Sequence, residues 1–180
     1  MRFLKLIILT IIIAGCSTTN KEKQLFDNLT DKETVVLVLS KYDLDGVPSE
    51  IGRLTNTKRL YITADSGGYT IYPPLGTSSQ PTRPTLNEKL PNEITKLTNL
   101  KYLGLVRLNL TVLPDDFGKL NSLDTLDLSL NRLTISNEIE KLKELKELKF
   151  LGLMGNLVDS TDIVKLKKEN PNLKIQTWIE

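Results

Sequence analysis

The sequence predicts an α/β solenoid, a stack of short units that each contribute one strand and one returning segment to a shared apolar core. The first observation behind this is a recurring pattern. LKYLGLVRLNL (100–110), LDTLDLSLNRL (123–133) and LKFLGLMGNLV (148–158) share apolar residues at their first, fourth, sixth and last positions, and their starts lie 23 and 25 residues apart. Self-similarity at such periods is the mark of a repeat array. The second is a matched returning segment, VPSEIGRL (47–54), LPNEITKL (90–97) and LPDDFGKL (113–120). The third is physical: a single strand or a single helical turn cannot bury its own apolar side, so neighbouring units must stack.

The pattern Leu-x-x-Leu-x-Leu-x-x-Asn-x-Leu resembles the leucine-rich repeat family. That resemblance implies a solenoid with a parallel sheet on the concave face and short helices or 3-10 turns on the convex face. It also implies a role for Asn131 and Asn156, whose amides would be buried and bonded to the backbone of an adjacent turn. Without partners a buried amide is costly. Leu108 occupies the same slot one unit earlier, which interrupts the Asn series. Asn109, one residue beyond it, is expected to be exposed and nearly neutral to substitution.

In this frame two degenerate units emerge upstream, Thr34-x-x-Leu37-x-Leu39 and Thr57-x-x-Leu60-x-Ile62, again 23 residues apart. In the returning segments, Pro48, Pro91 and Pro114 remove a backbone donor and end the strand. Pairs such as Ile51 with Leu54, three apart, face the core from a tight turn. These segments resemble the Leu-Pro subtype of the family. The interval from Thr57 to Leu100 exceeds one period by 20 residues, and the excess, residues 68–89, holds four of the eight prolines. Long insertions of this kind loop out from one face.

The last copies differ. NEIEKLKELKEL (137–148) spaces Ile139, Leu142 and Leu145 by three among alternating charges. It reads as a helix with a solvated face, supported by pairs such as Lys143 with Glu147. A further helix, capped by Ser160 or Thr161 and carrying Ile163 and Leu166, ends at Asn170-Pro171. A last edge strand at 173–175 follows, with Trp178 closing the final layer. Asp43-Leu-Asp45-Gly46 reads as a turn rather than a calcium loop.

The first 16 residues, MRFLKLIILTIIIAGC, place Arg2 and Lys5 ahead of a short apolar run and small residues, as in a secretory signal. Ile13-Ala14-Gly15-Cys16 resembles the lipobox of bacterial lipoproteins. The resemblance implies cleavage before Cys16, lipidation of its thiol and attachment to a membrane. Ser17 in place of Asp favours the outer membrane within that family. The domain reading is therefore a signal peptide at 1–15, a polar tether at 16–24 and a repeat domain at 25–180. Leu25, Phe26 and Leu29 form an N-terminal cap, and the domain holds about five repeats with the insertion at 68–89.

Composition narrows the function. Without Arg2 and Lys5 the chain carries 22 basic and 22 acidic residues, and no basic stripe with interleaved aromatics points to nucleic acid. The chain has no His, a single Cys and no phosphate-binding glycine motif. No enzyme activity, cofactor or metal is expected. Strand alternation sends the leucines inward and the residues between them outward. Arg59, Tyr61, Tyr102, Val106, Arg107, Leu130, Phe150 and Met154 are then candidates to face a partner, being types enriched in protein interfaces. The expected function is a monomeric, membrane-anchored protein-interaction module of the cell envelope. A structural envelope lipoprotein without a dedicated ligand, or a binder of glycan or cell-wall polymer, are the alternatives.

Overall fold

The computed structural model describes residues 16–65 and 88–178, with side chains from residue 22 onward. Residues 1–15, 66–87 and 179–180 lie outside the described residues, and with them the signal-like segment up to residue 15 and most of the insertion at 68–89. Six strands form one parallel sheet in chain order: β1 (Thr34–Val38), β2 (Arg59–Thr63), β3 (Tyr102–Val106), β4 (Thr125–Asp127), β5 (Phe150–Gly152) and β6 (Lys174–Gln176). Three-ten turns at Ser49–Arg53, Asn92–Lys96 and Asp115–Lys119 return the chain after the Leu-Pro segments, each with its proline as the preceding residue. Among the described residues a further three-ten turn, Leu39–Tyr42, and three α-helices complete the fold: α1 (Cys16–Asp27), α2 (Ile135–Lys143) and α3 (Ser160–Glu169). This is a leucine-rich repeat solenoid.

The core is a leucine column. Leu60, Leu103, Leu126 and Leu151 align across the sheet and are fully buried, as are Ile51, Ile94 and Phe117 from the returning turns. β2 pairs directly with β3, Leu60 opposite Leu103, so the insertion leaves its two repeats as neighbours. Phe26 of α1 is fully buried and closes the open end of the core. α1 begins at Cys16, so the polar residues 16–24 are helical.

The first unit departs from the expected register. Val35 pairs with Leu60 and Leu37 with Ile62, so the unit begins at Lys32, two residues earlier than Thr34. Thr57 lies 25 residues after Lys32 and donates its hydroxyl to the Lys32 carbonyl at 2.8 Å. Val35-x-Leu37-x-Leu39 has a period of two, so a slip of two keeps every side chain on its own face. Hydrophobicity alone could not separate the two registers.

Polar side chains inside the core do fix register further along. The Asn131 Oδ1 accepts from the backbone of Leu108 at 3.0 Å and Leu110 at 3.2 Å. Its Nδ2 donates to the carbonyls of Leu105 at 2.6 Å and Leu128 at 2.8 Å. Asn156 does the same for Leu133 at 3.1 Å and Leu128 at 2.9 Å. Each amide thereby ties its repeat to the one before. Asn109 holds a left-handed backbone, φ 61°, and is half-buried rather than exposed.

The helical side has its own seam. Glu138 is buried; its carboxylate accepts from the Leu113 amide at 3.2 Å and from Lys141 Nζ at 3.0 Å, while Lys141 donates to the Leu113 carbonyl at 2.7 Å. Asp162, fully buried, accepts from Ser136 Oγ at 2.9 Å and from the Asp159 amide at 3.1 Å. In the sequence Glu138 reads as part of a solvated face. Lys143 pairs with Glu140 at 3.0 Å rather than Glu147, and Asp159, not Ser160 or Thr161, caps α3 through a capping box with Asp162. Trp178 stands 71% exposed and does not close the last layer.

Candidate binding face

The outward side chains of the sheet form rows set by the pairing. Arg59, Tyr102, Thr125 and Phe150 occupy one row, preceded by Thr34 and followed by Lys174. Val36, Tyr61, Gly104, Asp127, Gly152 and Gln176 occupy the next. Tyr61 and Tyr102 are therefore diagonal neighbours rather than a directly opposed pair. Their meeting point is Gly104: a Cβ there would lie 2.5 Å from Tyr61 Cδ2 and 3.3 Å from the Tyr102 hydroxyl oxygen. Only glycine lets both rings lie down on the sheet at this position.

Arg59 completes the cluster. Its guanidinium carbon stands 4.7 Å from the Tyr102 ring centroid, a cation–π geometry. Burial and the nearby Asp127 carboxylate push the Tyr102 phenol above its ordinary pKa, and Arg59 opposes them. Tyr102 therefore stays a neutral hydrogen-bond donor over the physiological range. Asp127 is held in place by accepting the Ser129 amide at 2.9 Å, and it leans over Gly152, where a Cβ would meet its Oδ1 at 2.6 Å. Asp127 was not among the sequence candidates; an acid at an outward strand position between two glycines was the available signal.

The remaining candidates gather at the other end of the strands. The Arg107 amide donates to the Ser129 carbonyl at 3.2 Å, and the Leu130 amide to the Met154 carbonyl, which sets Arg107, Leu130 and Met154 along one rim. Arg107 and Leu130 hold left-handed backbones, φ 59° and 60°, a conformation that costs a side-chain-bearing residue about 1–2 kcal/mol. Arg107 also faces Asp65 at 3.6 Å. Val106 departs from expectation. It is 8% exposed, next to the equally buried Thr63 of β2, and offers little contact surface. Phe150, Met154, Leu130, Tyr61 and Tyr102 are half-buried, and Arg59 is exposed.

Among the described residues no group of three or more His, Cys, Asp or Glu could hold a metal ion, and no helix is long and apolar enough to cross a membrane. The Cys16 backbone begins α1. A groove of about 420 Å³ runs between α1 and the end of the first repeat, lined by Glu22, Leu25, Tyr42 and Leu44 among others.

No protein-family model matches the chain. No curated protein matches it in sequence. Among solved structures, a leucine-rich repeat protein of Leptospira interrogans is 26% identical, with 72% of this chain and 33% of that one covered and a TM-score of 0.45. Internalin C2 of Listeria monocytogenes is 20% identical, covering 71% of this chain and 44% of its own, with a TM-score of 0.45. A second Listeria monocytogenes internalin, inlF, is 15% identical, covering 89% and 45%, with a TM-score of 0.47. The chain thus spans between a third and under a half of the length of these bacterial leucine-rich repeat structures.

Proposed function

We propose that this solenoid is a lipid-anchored interaction module of the bacterial cell envelope that binds another protein or peptide through its sheet face. The observation that carries the reading is the Arg59–Tyr102–Tyr61 cluster laid over Gly104. Tyr and Arg are the residue types that dominate protein-binding hot spots. Here they are pre-arranged by stacking, which lowers the ordering cost of association. The apolar rim of Leu130 and Met154 extends the same face toward the strand ends. The lipobox-like sequence ending at Cys16 supports the anchor.

Two measurements test the reading. Full-length protein carrying a photo-crosslinking residue at Thr125, beside Tyr102 in the sheet, is expected to trap one envelope protein that a crosslinker at exposed Lys96, on the returning turn, does not. Equal trapping from both positions removes the sheet face from the proposal. Cys16→Ser is expected to abolish fatty-acid labelling, and a labelled variant contradicts the anchor.

A further inference from the structure

Resting on the sheet-face reading above, we infer that the partner segment carries an acid–base–acid charge order: a lysine or arginine seated on Asp127, with an acidic group on either side facing Arg59 and Lys174.

Asp127 is the one acid in the two outward rows of the sheet. Its Oδ1 accepts the Ser129 amide at 2.9 Å, and among the described residues no cation pairs with it. The residue is half-buried, with aromatic side chains to both sides. On one side the Tyr61 ring and the Tyr102 hydroxyl lie over Gly104. On the other the carboxylate leans over Gly152, two residues beyond Phe150 and therefore on the same face of β5. A side chain at either glycine would take the space these groups occupy.

A half-buried carboxylate without a counter-charge attracts a cation more strongly than one in open water, because less solvent screens it. A lysine or arginine suits the position twice over: its charged end meets Asp127 while its methylene stem covers the apolar side chains alongside. An acidic group there would face like charge.

The flanks follow from the strand pairing. Arg59 on β2 and Lys174 on β6 stand in the neighbouring row, two strands to either side of β4, and both are exposed. Two strand spacings and one row put each backbone position about 12 Å from that of Asp127. Four residues of extended chain span about 13 Å and return their side chains to the same face. A segment that crosses the strands with acids four residues before and after its basic residue therefore matches all three charges.

The test is amide NMR of full-length, isotope-labelled protein in detergent micelles, titrated with two end-blocked peptides of inverse charge order. One is Glu-Gly-Gly-Gly-Lys-Gly-Gly-Gly-Glu, the other Lys-Gly-Gly-Gly-Glu-Gly-Gly-Gly-Lys. The first is expected to shift the Gly104 and Gly152 amides to saturation, and the second to leave them in place. Asp127→Asn keeps an acceptor for the Ser129 amide and should weaken the first peptide about fivefold. Gly152→Ala, whose methyl carbon would stand 2.6 Å from the Asp127 Oδ1 and push the carboxylate aside, should weaken it as well. Equal shifts from both peptides, no saturable shift, or an unaltered affinity in Asp127→Asn overturns the inference. If position 125 still traps an envelope protein alongside any of those results, the sheet-face reading stands and its charge order alone is lost.

Discussion

The two halves of the solenoid hold their repeats together by different means. From β3 onward, polar side chains at the core reach back one repeat: Asn131 and the half-buried Asn156 beside the strands, the buried Glu138 and Asp162 beside the helices. Between β1 and β2, among the described residues, the corresponding buried tie is the Thr57 hydroxyl on the Lys32 carbonyl. The leucine column is continuous through both halves. The difference shows that apolar pattern sets which face is inside, whereas specific buried hydrogen bonds set which residue faces which. A repeat can slip by two without exposing a leucine, but not without orphaning an amide.

The comparison breaks most readily at Glu138. Its replacement by Ala removes the acceptor for the Leu113 amide and leaves Lys141, only 17% exposed, without its closest carboxylate. Breaking such a pair is expected to cost about 3–5 kcal/mol in urea unfolding. Glu138→Gln, which keeps an acceptor, should cost less. A loss under about 1 kcal/mol for the Ala variant would mean that the helical seam is held by packing alone.

Asn131→Ala comes next, with an expected loss of about 2–3 kcal/mol as the Leu108 and Leu110 amides and the Leu105 carbonyl lose their partner. Asn156→Ala should cost less, because Asn156 is only half-buried and makes fewer bonds. Equal losses would remove the distinction between a ladder amide and a rim amide.

Asn109→Ala sharpens the same point from outside the ladder. The expected cost is about 1 kcal/mol, arising from the left-handed backbone that Asn tolerates better than Ala. Asn109→Gly should recover most of it. Thermal unfolding of the three proteins decides the matter, and identical midpoints for Asn109→Ala and wild type would show that the turn relaxes.

Much of this was legible in the sequence, for identifiable reasons. The Leu-Pro segments specify their turns because Pro fixes φ and removes a donor, and the Asn131 slot follows from the family pattern. Strand alternation correctly sent Arg59, Tyr61 and Tyr102 to one face. What escaped depends on tertiary partners. The first register escaped because a period of two cannot count repeats. Glu138 and Asp162 escaped because a buried acid and a solvated one look alike until the neighbouring repeat supplies its donors. Val106 escaped because alternation gives the direction of a side chain and not how deeply it is buried.

Under the proposed function, stability resides in the buried ties between repeats and binding in the aromatic cluster on the sheet. Tyr61→Ala combined with Tyr102→Ala separates the two most directly. Both rings lie on the sheet face and neither belongs to the leucine column. The double variant is therefore expected to melt within a few degrees of wild type. It should at the same time lose at least about 2 kcal/mol of affinity for the envelope protein trapped from position 125. A variant that keeps full affinity, or that unfolds as readily as Asn131→Ala, would contradict the account.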